Sequence, residues 1–237
     1  MLISDFNLPF PTSPGLFITG TGTEVGKTYV AALLAQRLVQ QGLRVGVYKP
    51  VASGCRVEQG ELISDDAMTL WHAAGQPLTL EQVCPQRFLA PLAPNLAAKA
   101  EGRRVDEGLL RSGIDPWLEA SDIVLVEGAG GLLSPLSDES FNIDLAADLG
   151  LPLVIVAANR LGTINDTLQT ALTASVWDER LTIAGVILNQ LQAETDSSCA
   201  TNAAELRRHL RVPLLGEVVW GGGLDQRGWL NKSNPSL

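Results

Sequence analysis

The sequence predicts a doubly wound α/β fold, in which a mostly parallel sheet carries helices on both faces. Short apolar runs rich in β-branched residues alternate with segments of helical periodicity, as they do in βαβ units. The runs are apolar almost throughout, which is typical of strands that are covered on both faces. The 237 residues are enough for one large core, so we expect a single α/β domain over 1–237.

The elements follow from the positions of these runs. We expect the first strand at 16–19 and the first helix at 28–41, where apolar residues recur at helical spacing until Gly42. Two clusters of Pro and Gly are expected to be ligand-facing loops, at 85–104 and 128–135. Residues 1–14 are expected to be an extension, and residues 222–237 a disordered tail. Further strands are expected at 45–48, 123–126, 153–157, 183–188 and 214–218, and further helices at 165–176 and 197–210.

Composition excludes several classes of function. The 17 basic and 26 acidic residues give a formal net charge of -9, which argues against nucleic-acid and anionic-membrane partners because both need a basic face. Cys55, Cys84 and Cys199 lie far apart without a CxxC pair, which indicates neither a zinc site nor a disulfide framework. The apolar runs are too short to span a bilayer, and residues 1–14 lack signal-peptide features. We therefore expect a cytoplasmic protein.

A phosphate-binding loop is predicted between the first strand and the first helix. Residues 20–28 read Gly-Thr-Gly-Thr-Glu-Val-Gly-Lys-Thr, and their position places backbone N–H groups and a helix N-terminus against phosphates. Lys27 would contact the β- and γ-phosphates, and Thr28 would bind Mg²⁺. The usual spacing puts glycine at position 21, where this chain has Thr21. The segment predicts a P-loop NTPase fold that binds ATP or GTP, and it leaves the reaction open.

Carboxylates and a second lysine could complete this site. Glu127 ends the run 123–126, and a carboxylate at the carboxyl end of a buried parallel strand points at the ligand crevice. Asp65 and Asp66 could supply another carboxylate or could cap a helix, and the pattern leaves both interpretations open. Lys49 ends the second strand. A solvated lysine is the commoner case there, but its position at the same sheet edge as the loop favours a role in the site.

Four short motifs follow one another along the chain. After the loop at 20–28 come Tyr-Lys-Pro-Val-Ala-Ser-Gly at 48–54, Val-Glu-Gly-Ala-Gly-Gly at 126–131 and Leu-Gly-Thr-Ile-Asn at 161–165. Their order and spacing resemble the dethiobiotin synthetase family of biotin biosynthesis. The resemblance implies that CO₂ carbamates one amine of 7,8-diaminononanoate and that the carbamate attacks the γ-phosphate of ATP. The second amine then closes the ring, giving dethiobiotin, ADP and phosphate.

The same resemblance implies roles for individual residues. Lys27 and Lys49 would be catalytic, and Mg²⁺ would be held by Thr28, Asp66 and Glu127. Asn189 would read the adenine edge, whose donor–acceptor pattern an amide can match. The nucleotide and Mg²⁺ would contact Glu24, Val25, Gly26, Lys27, Thr28, Tyr29, Asp66, Glu127, Gly128, Ala129, Gly130, Asn189 and Gln190. The diamine would contact Thr23, Glu24, Lys49, Ser53 and Gly130, and from the neighbouring subunit of a homodimer Leu161, Gly162, Thr163, Ile164 and Asn165.

Two other interpretations of the loop are open at this stage. A cobyrinate-type amide-forming ligase would normally bring a glutaminase partner, and this chain has neither the extra length nor a nucleophilic Cys-His pair. A partitioning-type switch ATPase carries a signature lysine at the position of Gly22 and often a basic or membrane-binding tail. Neither feature is present, so the sequence favours the ligase. The family loop commonly has aspartate where this chain has Gly22.

Overall fold

The computed structural model describes residues 13–194, 196–222 and 224–225. The predicted extension at 1–14 and the predicted tail at 222–237 lie almost entirely outside these residues. Within the described part of the chain, no helix combines the length and the apolar character that crossing a membrane requires.

The elements alternate along the chain as βαβ units do. The strands are β1 (Gly15–Gly20), β2 (Val45–Tyr48), β3 (Val51–Ala52), β4 (Arg56–Glu58), β5 (Glu61–Ile63), β6 (Gln86–Arg87), β7 (Ile123–Glu127), β8 (Leu153–Ala158), β9 (Ile183–Asn189), β10 (Leu214–Val218) and β11 (Leu224–Asp225). The helices are α1 (Lys27–Gln40), α2 (Asp65–Ala73), α3 (Leu80–Val83), α4 (Pro94–Ala100), α5 (Glu107–Ser112), α6 (Asp115–Ala120), α7 (Asn142–Leu149), α8 (Thr163–Trp177) and α9 (Cys199–His209).

The main sheet has the strand order β11-β10-β9-β8-β1-β7-β2. All pairings are parallel except that of β10 with β11. Because β1 lies between β7 and β8, the loop that leaves its carboxyl end lies at the centre of one sheet edge. The register sets Ile18 opposite Glu127 and Tyr48 opposite Val126, so the ends of β1, β7 and β2 lie side by side. This is the edge at which such sheets bind ligands.

Two clusters of buried apolar residues pack against this sheet, and the larger one reaches both faces because it takes consecutive residues of β1 and β7. Alternate residues of β8 point to opposite faces: Val154 and Val156 pack into the larger core, and Ile155 and Ala157 into a smaller one. The smaller core also takes Leu206 of α9. Covering on both faces explains why the strands are apolar throughout, and it confirms the predicted doubly wound fold.

The region 85–104 differs from its prediction as a loop. It contains β6, which pairs with β3, and the helix α4. Pro94 stands at the start of α4, where proline is favourable because its missing N–H would have no partner in the helix. The proline therefore begins a helix in a region where its abundance suggests a loop.

The start of α2 resolves the question of the two aspartates. Ser64 precedes the helix, and its side-chain oxygen accepts a hydrogen bond from the N–H of Ala67 at 3.2 Å. Ser64 is therefore the N-cap, and the capping interpretation of Asp65 and Asp66 is wrong. Asp66 lies in the first turn with its carboxylate free for other contacts.

Candidate active site

The phosphate loop joins β1 to α1 with little help from side-chain caps. The first turn of α1 contains no acidic residue, and no side chain caps the helix, so its N–H groups are free for an anion. Gly26 adopts a left-handed conformation with φ of 83°, and a Cβ there would lie 2.1 Å from Asn189 Nδ2. Asn189 donates from Nδ2 to the carbonyl of Val25 at 3.0 Å. A residue of β9 therefore fixes the turn into the helix.

Two lysines face the cavity beside this loop. Lys27 Nζ donates to the carbonyl oxygen of Gly22 at 3.2 Å. Lys49 Nζ lies 2.5 Å from Glu127 Oε1 and 2.8 Å from Asp66 Oδ2. Lys49 is 3% exposed, so the interpretation of this residue as a solvated strand-end lysine is wrong. Glu127 is likewise buried, and burial of both charges is tolerated because each is paired.

The pKa values of the two lysines shift in opposite directions, although burial acts on both in the same direction. Burial lowers the pKa of Lys27; Glu127 opposes that shift, and Lys49 adds to it. Burial would also lower the pKa of Lys49, but Glu127 and Asp66 outweigh this effect and hold it above the ordinary lysine value. Burial would raise the pKa of Asp66, but Lys49 outweighs it and holds that pKa below the usual carboxyl value. Lys49 is thus held as a cation, whereas Lys27 lacks such charge balance.

The side-chain oxygens of Thr28, Asp66 and Glu127 lie close together in this cluster. Thr28 Oγ1 donates to Glu127 Oε1 at 2.9 Å, and Asp66 reaches the same group through Lys49. The second carboxylate oxygen of Glu127, Oε2, is buried and has no hydrogen-bond partner within the described chain. An orphaned buried carboxylate oxygen is costly unless a cation or donor completes it.

A cavity of about 440 Å³ contains this cluster. Most of the residues that the sequence analysis assigned to the site line it. They are Thr23, Glu24, Gly26, Lys27, Thr28, Tyr29, Lys49, Ser53, Asp66, Glu127, Ala129 and Gly130. Of the other assigned residues, Asn189 lies behind Gly26, and the segment 161–165 lies at the start of α8, outside the walls of this cavity.

A second cavity of about 370 Å³ adjoins the first at Thr23. Gly22 and the segment 131–134 form one wall, and polar residues of α8 form the other. The α8 residues are Asp166, Gln169, Thr170 and Thr173. The motifs at 20–28 and 126–131 contribute part of its lining, but the α8 residues belong to no motif, so the sequence did not indicate this cavity.

Two buried asparagines outside every motif hold the loops of the site. Asn142 forms hydrogen bonds with the backbone of the segment 129–134. Asn202 of α9 donates to Asn159 Oδ1 at 2.9 Å and to the carbonyl of Arg160 at 3.1 Å, just before the segment 161–165. A single asparagine carries no sequence signal of such a role, so reasoning from motifs missed both.

A phosphate loop on the central strand of a parallel sheet, with its lysine and a strand-end carboxylate, defines the chain as a P-loop nucleotide-binding protein. A family model described as an AAA domain matches residues 14–227. Curated relatives named ATP-dependent dethiobiotin synthetase BioD match most of the chain, and the chain belongs to this family.

Three of these relatives illustrate the similarity. The protein of Rhodopirellula baltica is 45% identical over 213 residues, which cover 85% of this chain and 82% of the relative. The protein of Anaeromyxobacter dehalogenans is 42% identical, with 90% and 93% covered. The protein of Bacillus licheniformis is also 42% identical, with 85% and 84% covered.

Solved structures share the fold at low identity. The signal recognition particle receptor FtsY of Elizabethkingia anophelis superposes with a TM-score of 0.53 at 14% identity, over 94% of this chain and 63% of the receptor. The cell division protein FtsY of Thermotoga maritima gives 0.50 at 15% identity, over 90% and 64%. The chain thus spans less than two thirds of either protein, and the likeness extends to the fold alone.

Proposed function

We propose that this chain catalyses the ATP-dependent carboxylation and ring closure of 7,8-diaminononanoate to dethiobiotin. One amine nitrogen bonds to the carbon of CO₂ and loses a proton, which gives a carbamate. A carbamate oxygen bonds to the γ-phosphorus of ATP while the bond to the bridging oxygen breaks and ADP leaves. The second amine then bonds to the carbamoyl carbon, loses a proton and expels phosphate. Membership of the family supports this reaction.

The observation that carries the proposal is the pair of buried lysines in one cavity with the phosphate loop. Lys27, at the start of α1, would offset charge on the β- and γ-phosphates. Lys49, charged and held by Asp66 and Glu127, would offset the charge shared by the carbamate and the transferred phosphoryl group. Thr23, Glu24, Ser53 and Gly130 line the same cavity and would hold the reacting amines.

We propose that Mg²⁺ binds at Thr28, Asp66 and Glu127. These side chains offer the oxygen ligands that Mg²⁺ prefers, and the partnerless Oε2 of buried Glu127 supports the fit. Within the described residues, no group of three or more His, Cys, Asp and Glu side chains is placed to hold a metal ion. Phosphate oxygens and water would therefore complete the shell. When bound, the ion would neutralise charge on the transferred phosphoryl group.

Asn189 supports recognition of adenine. Its Nδ2 is occupied by the carbonyl of Val25, whereas its buried Oδ1 has no partner within the described chain. An acceptor at this position suits the 6-amino group of adenine and opposes the 6-oxygen of guanine. We expect kcat/KM to favour ATP over GTP by at least about tenfold, and Asn189→Ala to reduce that preference. Equal use of both nucleotides by the wild type would contradict this role.

We propose a homodimer formed through α8. Leu172 and Val176, one helical turn apart, are 64% and 72% exposed, and Leu161 before the helix is 79% exposed. Such an apolar face on a helix supports burial against a second copy. Val176→Glu should give monomers in sedimentation experiments, whereas Val57→Glu, at another exposed valine, should not. If the segment 161–165 contacts the substrate of the neighbouring subunit, the monomeric Val176→Glu variant should also lose turnover.

We also propose that the chain forms a single domain and acts in the cytoplasm. One core cluster joins residues from β1 to β10, which supports a single domain. Use of ATP supports the cytoplasm as the place of reaction.

Product analysis tests the proposed function. Purified protein with diaminononanoate, bicarbonate and Mg-ATP should form ADP and dethiobiotin in equal amounts. Lys27→Ala should lose turnover, whereas Lys99→Ala, an exposed lysine paired with Asp138 outside the cavity, should keep it. Release of ADP at a rate indifferent to the diamine would contradict the proposal.

A further inference from the structure

The segment 128–134 connects the two cavities of the site. It follows Glu127; Ala129 and Gly130 line the larger cavity, whereas Gly131 to Ser134 line the smaller one. The N–H of Leu132 donates to the carbonyl of Gly20 at 3.2 Å. A Cβ on Gly131 would lie 3.2 Å from the Cα of Gly22, so the segment packs directly against the phosphate loop. Its conformation therefore sets the shape of the wall beside the phosphates.

One fully buried side chain holds this segment. Asn142, the first residue of α7, accepts at Oδ1 from the N–H of Ala129 at 2.9 Å. Its Nδ2 faces three carbonyl oxygens, those of Ala129 at 2.7 Å, Gly131 at 2.9 Å and Ser134 at 3.1 Å. A primary amide matches this set because it joins an acceptor to two N–H donors in one plane. Four backbone groups of the segment thus bond this one side chain.

The surrounding chain is fitted to this amide. A Cβ on Gly128 would lie 2.3 Å from Asn142 Oδ1, so the side chain fills the space that any larger residue at position 128 would need. The backbone N–H of Asn142 donates to the carbonyl of Ser134, and that of Ile143 to the carbonyl of Leu132. These backbone bonds fix the far end of the segment. Gly131 is held from within the segment as well, because its carbonyl also accepts from the N–H of Ser134. The two backbone groups of Ala129, nearest the reacting groups, bond the amide.

We infer that Asn142 is a positioning residue, which fixes the wall at 128–131 where the diamine and its carbamate bind. This inference rests on the proposed function for the identity of the substrate. Without the amide, both backbone groups of Ala129 lose their partner, and the segment relaxes toward the cavity to satisfy them. The nucleotide keeps its main contacts, because Lys27, the α1 N-terminus and Asn189 do not touch the amide.

The main test compares Asn142→Ala with Gln86→Ala. Gln86 is a buried amide that pairs with the backbone N–H and carbonyl of Asp106, away from both cavities. Both variants remove buried amide bonds, so both should lose stability. Only Asn142→Ala should raise the KM for the diamine or lower kcat, by about tenfold, with the affinity for ADP changed less than about threefold. Only Asn142→Ala should speed amide hydrogen exchange in 128–134.

Asn142→Asp provides a test that keeps the side-chain volume. The aspartate retains the acceptor for Ala129 but presents an oxygen to three carbonyls, and it can donate only when protonated. Its turnover relative to wild type should therefore rise as the pH is lowered. This pH response would not arise from a merely structural role, and it decides the matter if Asn142→Ala does not fold.

Three results would overturn the inference. They are wild-type kinetic constants in both Asn142 variants, equal kinetic losses in Gln86→Ala, and a parallel loss of ADP affinity in Asn142→Ala. The proposed function can fail separately, if the wild type does not convert the diamine. Hydrogen exchange in 128–134 would then still report whether Asn142 fixes the segment, since that measurement needs no substrate.

Discussion

Lys27 and Lys49 line the same cavity and are almost equally buried, at 7% and 3% exposure, yet their surroundings are opposite. Lys27 has the carbonyl of Gly22 as its partner, and burial lowers its pKa. Lys49 has two carboxylates, which raise its pKa. Within the cavity, carboxylates of the protein balance the charge of Lys49 but leave the charge of Lys27 without a directly paired anion. In the proposed function, phosphate balances the charge of Lys27 when the nucleotide binds.

The two lysines also differ in what they contribute to the fold. Lys49 belongs to a buried ion pair whose partner, Glu127, would be left uncompensated if the lysine were removed. Lys27 carries a desolvated charge that costs free energy in the absence of ligand. One lysine thus stabilises the empty protein, and the other becomes favourable only with an anion beside it.

The largest effect should come from Lys49→Met. Loss of one partner of the buried pair should reduce the free energy of unfolding by about 3–5 kcal/mol and turnover by at least about a hundredfold. Lys49→Met combined with Glu127→Gln should recover much of the stability but none of the turnover, because the unpaired charge is gone. Urea denaturation and product formation measure the two quantities. Equal stability of all three proteins would contradict the pairing argument.

Lys27→Met should separate function from stability. The free energy of unfolding should change by less than about 1 kcal/mol, because the lost hydrogen bond is offset by relief of a buried charge. The affinity for ADP should fall by about tenfold to a hundredfold, as expected for the loss of a charged contact to phosphate. Calorimetric titration and denaturation provide the comparison. A loss of stability matching that of Lys49→Met would remove the distinction between the two lysines.

The affinity for ADP should also weaken as the pH rises toward the ordinary lysine value of 10.5, because Lys27 loses its proton below that value. Unfolding free energy should respond in the opposite direction. Across the interval between the lowered pKa and 10.5, the unfolded chain binds more protons at this lysine than the folded one, so the contribution of Lys27 to stability rises with pH. Lys27→Arg should bind ADP without this pH dependence. An equally steep decline of its ADP affinity with pH would show that a group other than Lys27 causes the effect.

The smallest effect should come from Gly22→Ala. A Cβ on Gly22 meets nothing within 4 Å, so unfolding free energy should change by less than about 0.5 kcal/mol. Gly26→Ala is the matched contrast, since its left-handed backbone and contact with Asn189 should make it cost more than about 1 kcal/mol. Denaturation midpoints of the two variants give the comparison. Equal values would show that the loop tolerates a side chain throughout.

The sequence predicted the strands of the parallel sheet to within two residues of their bounds, because each is a short apolar run between turn signals. It also predicted the phosphate loop, whose residues are contiguous. The strand order could not be read, since the placement of β1 between β7 and β8 depends on pairing between distant segments. The helix α4 was missed because Pro94 was taken as a loop signal, although proline also starts helices.

The candidate site was predictable where a residue type carries a chemical role. Glu127 and Lys49 were selected because charged groups at strand ends face the crevice, and they lie together in the structure. Asn142 and Asn202 were not selected, because their role depends on which carbonyl oxygens the fold brings around them. Ser64 stood in a readable position before α2, and the N-cap preference for serine could have identified it.

The contact between Gly26 and Asn189 couples the proposed base-binding amide to the phosphate loop. The amide of Asn189, whose Oδ1 we propose as the acceptor for the base, holds the carbonyl of Val25 with its nitrogen, one residue before the left-handed turn. A base that displaced this amide would also break its hydrogen bond to Val25, which holds the turn that orients the first N–H groups of α1. Discrimination between nucleotides should therefore be expressed partly as slower phosphoryl transfer, so that a wrong nucleotide that does bind is poorly aligned for reaction.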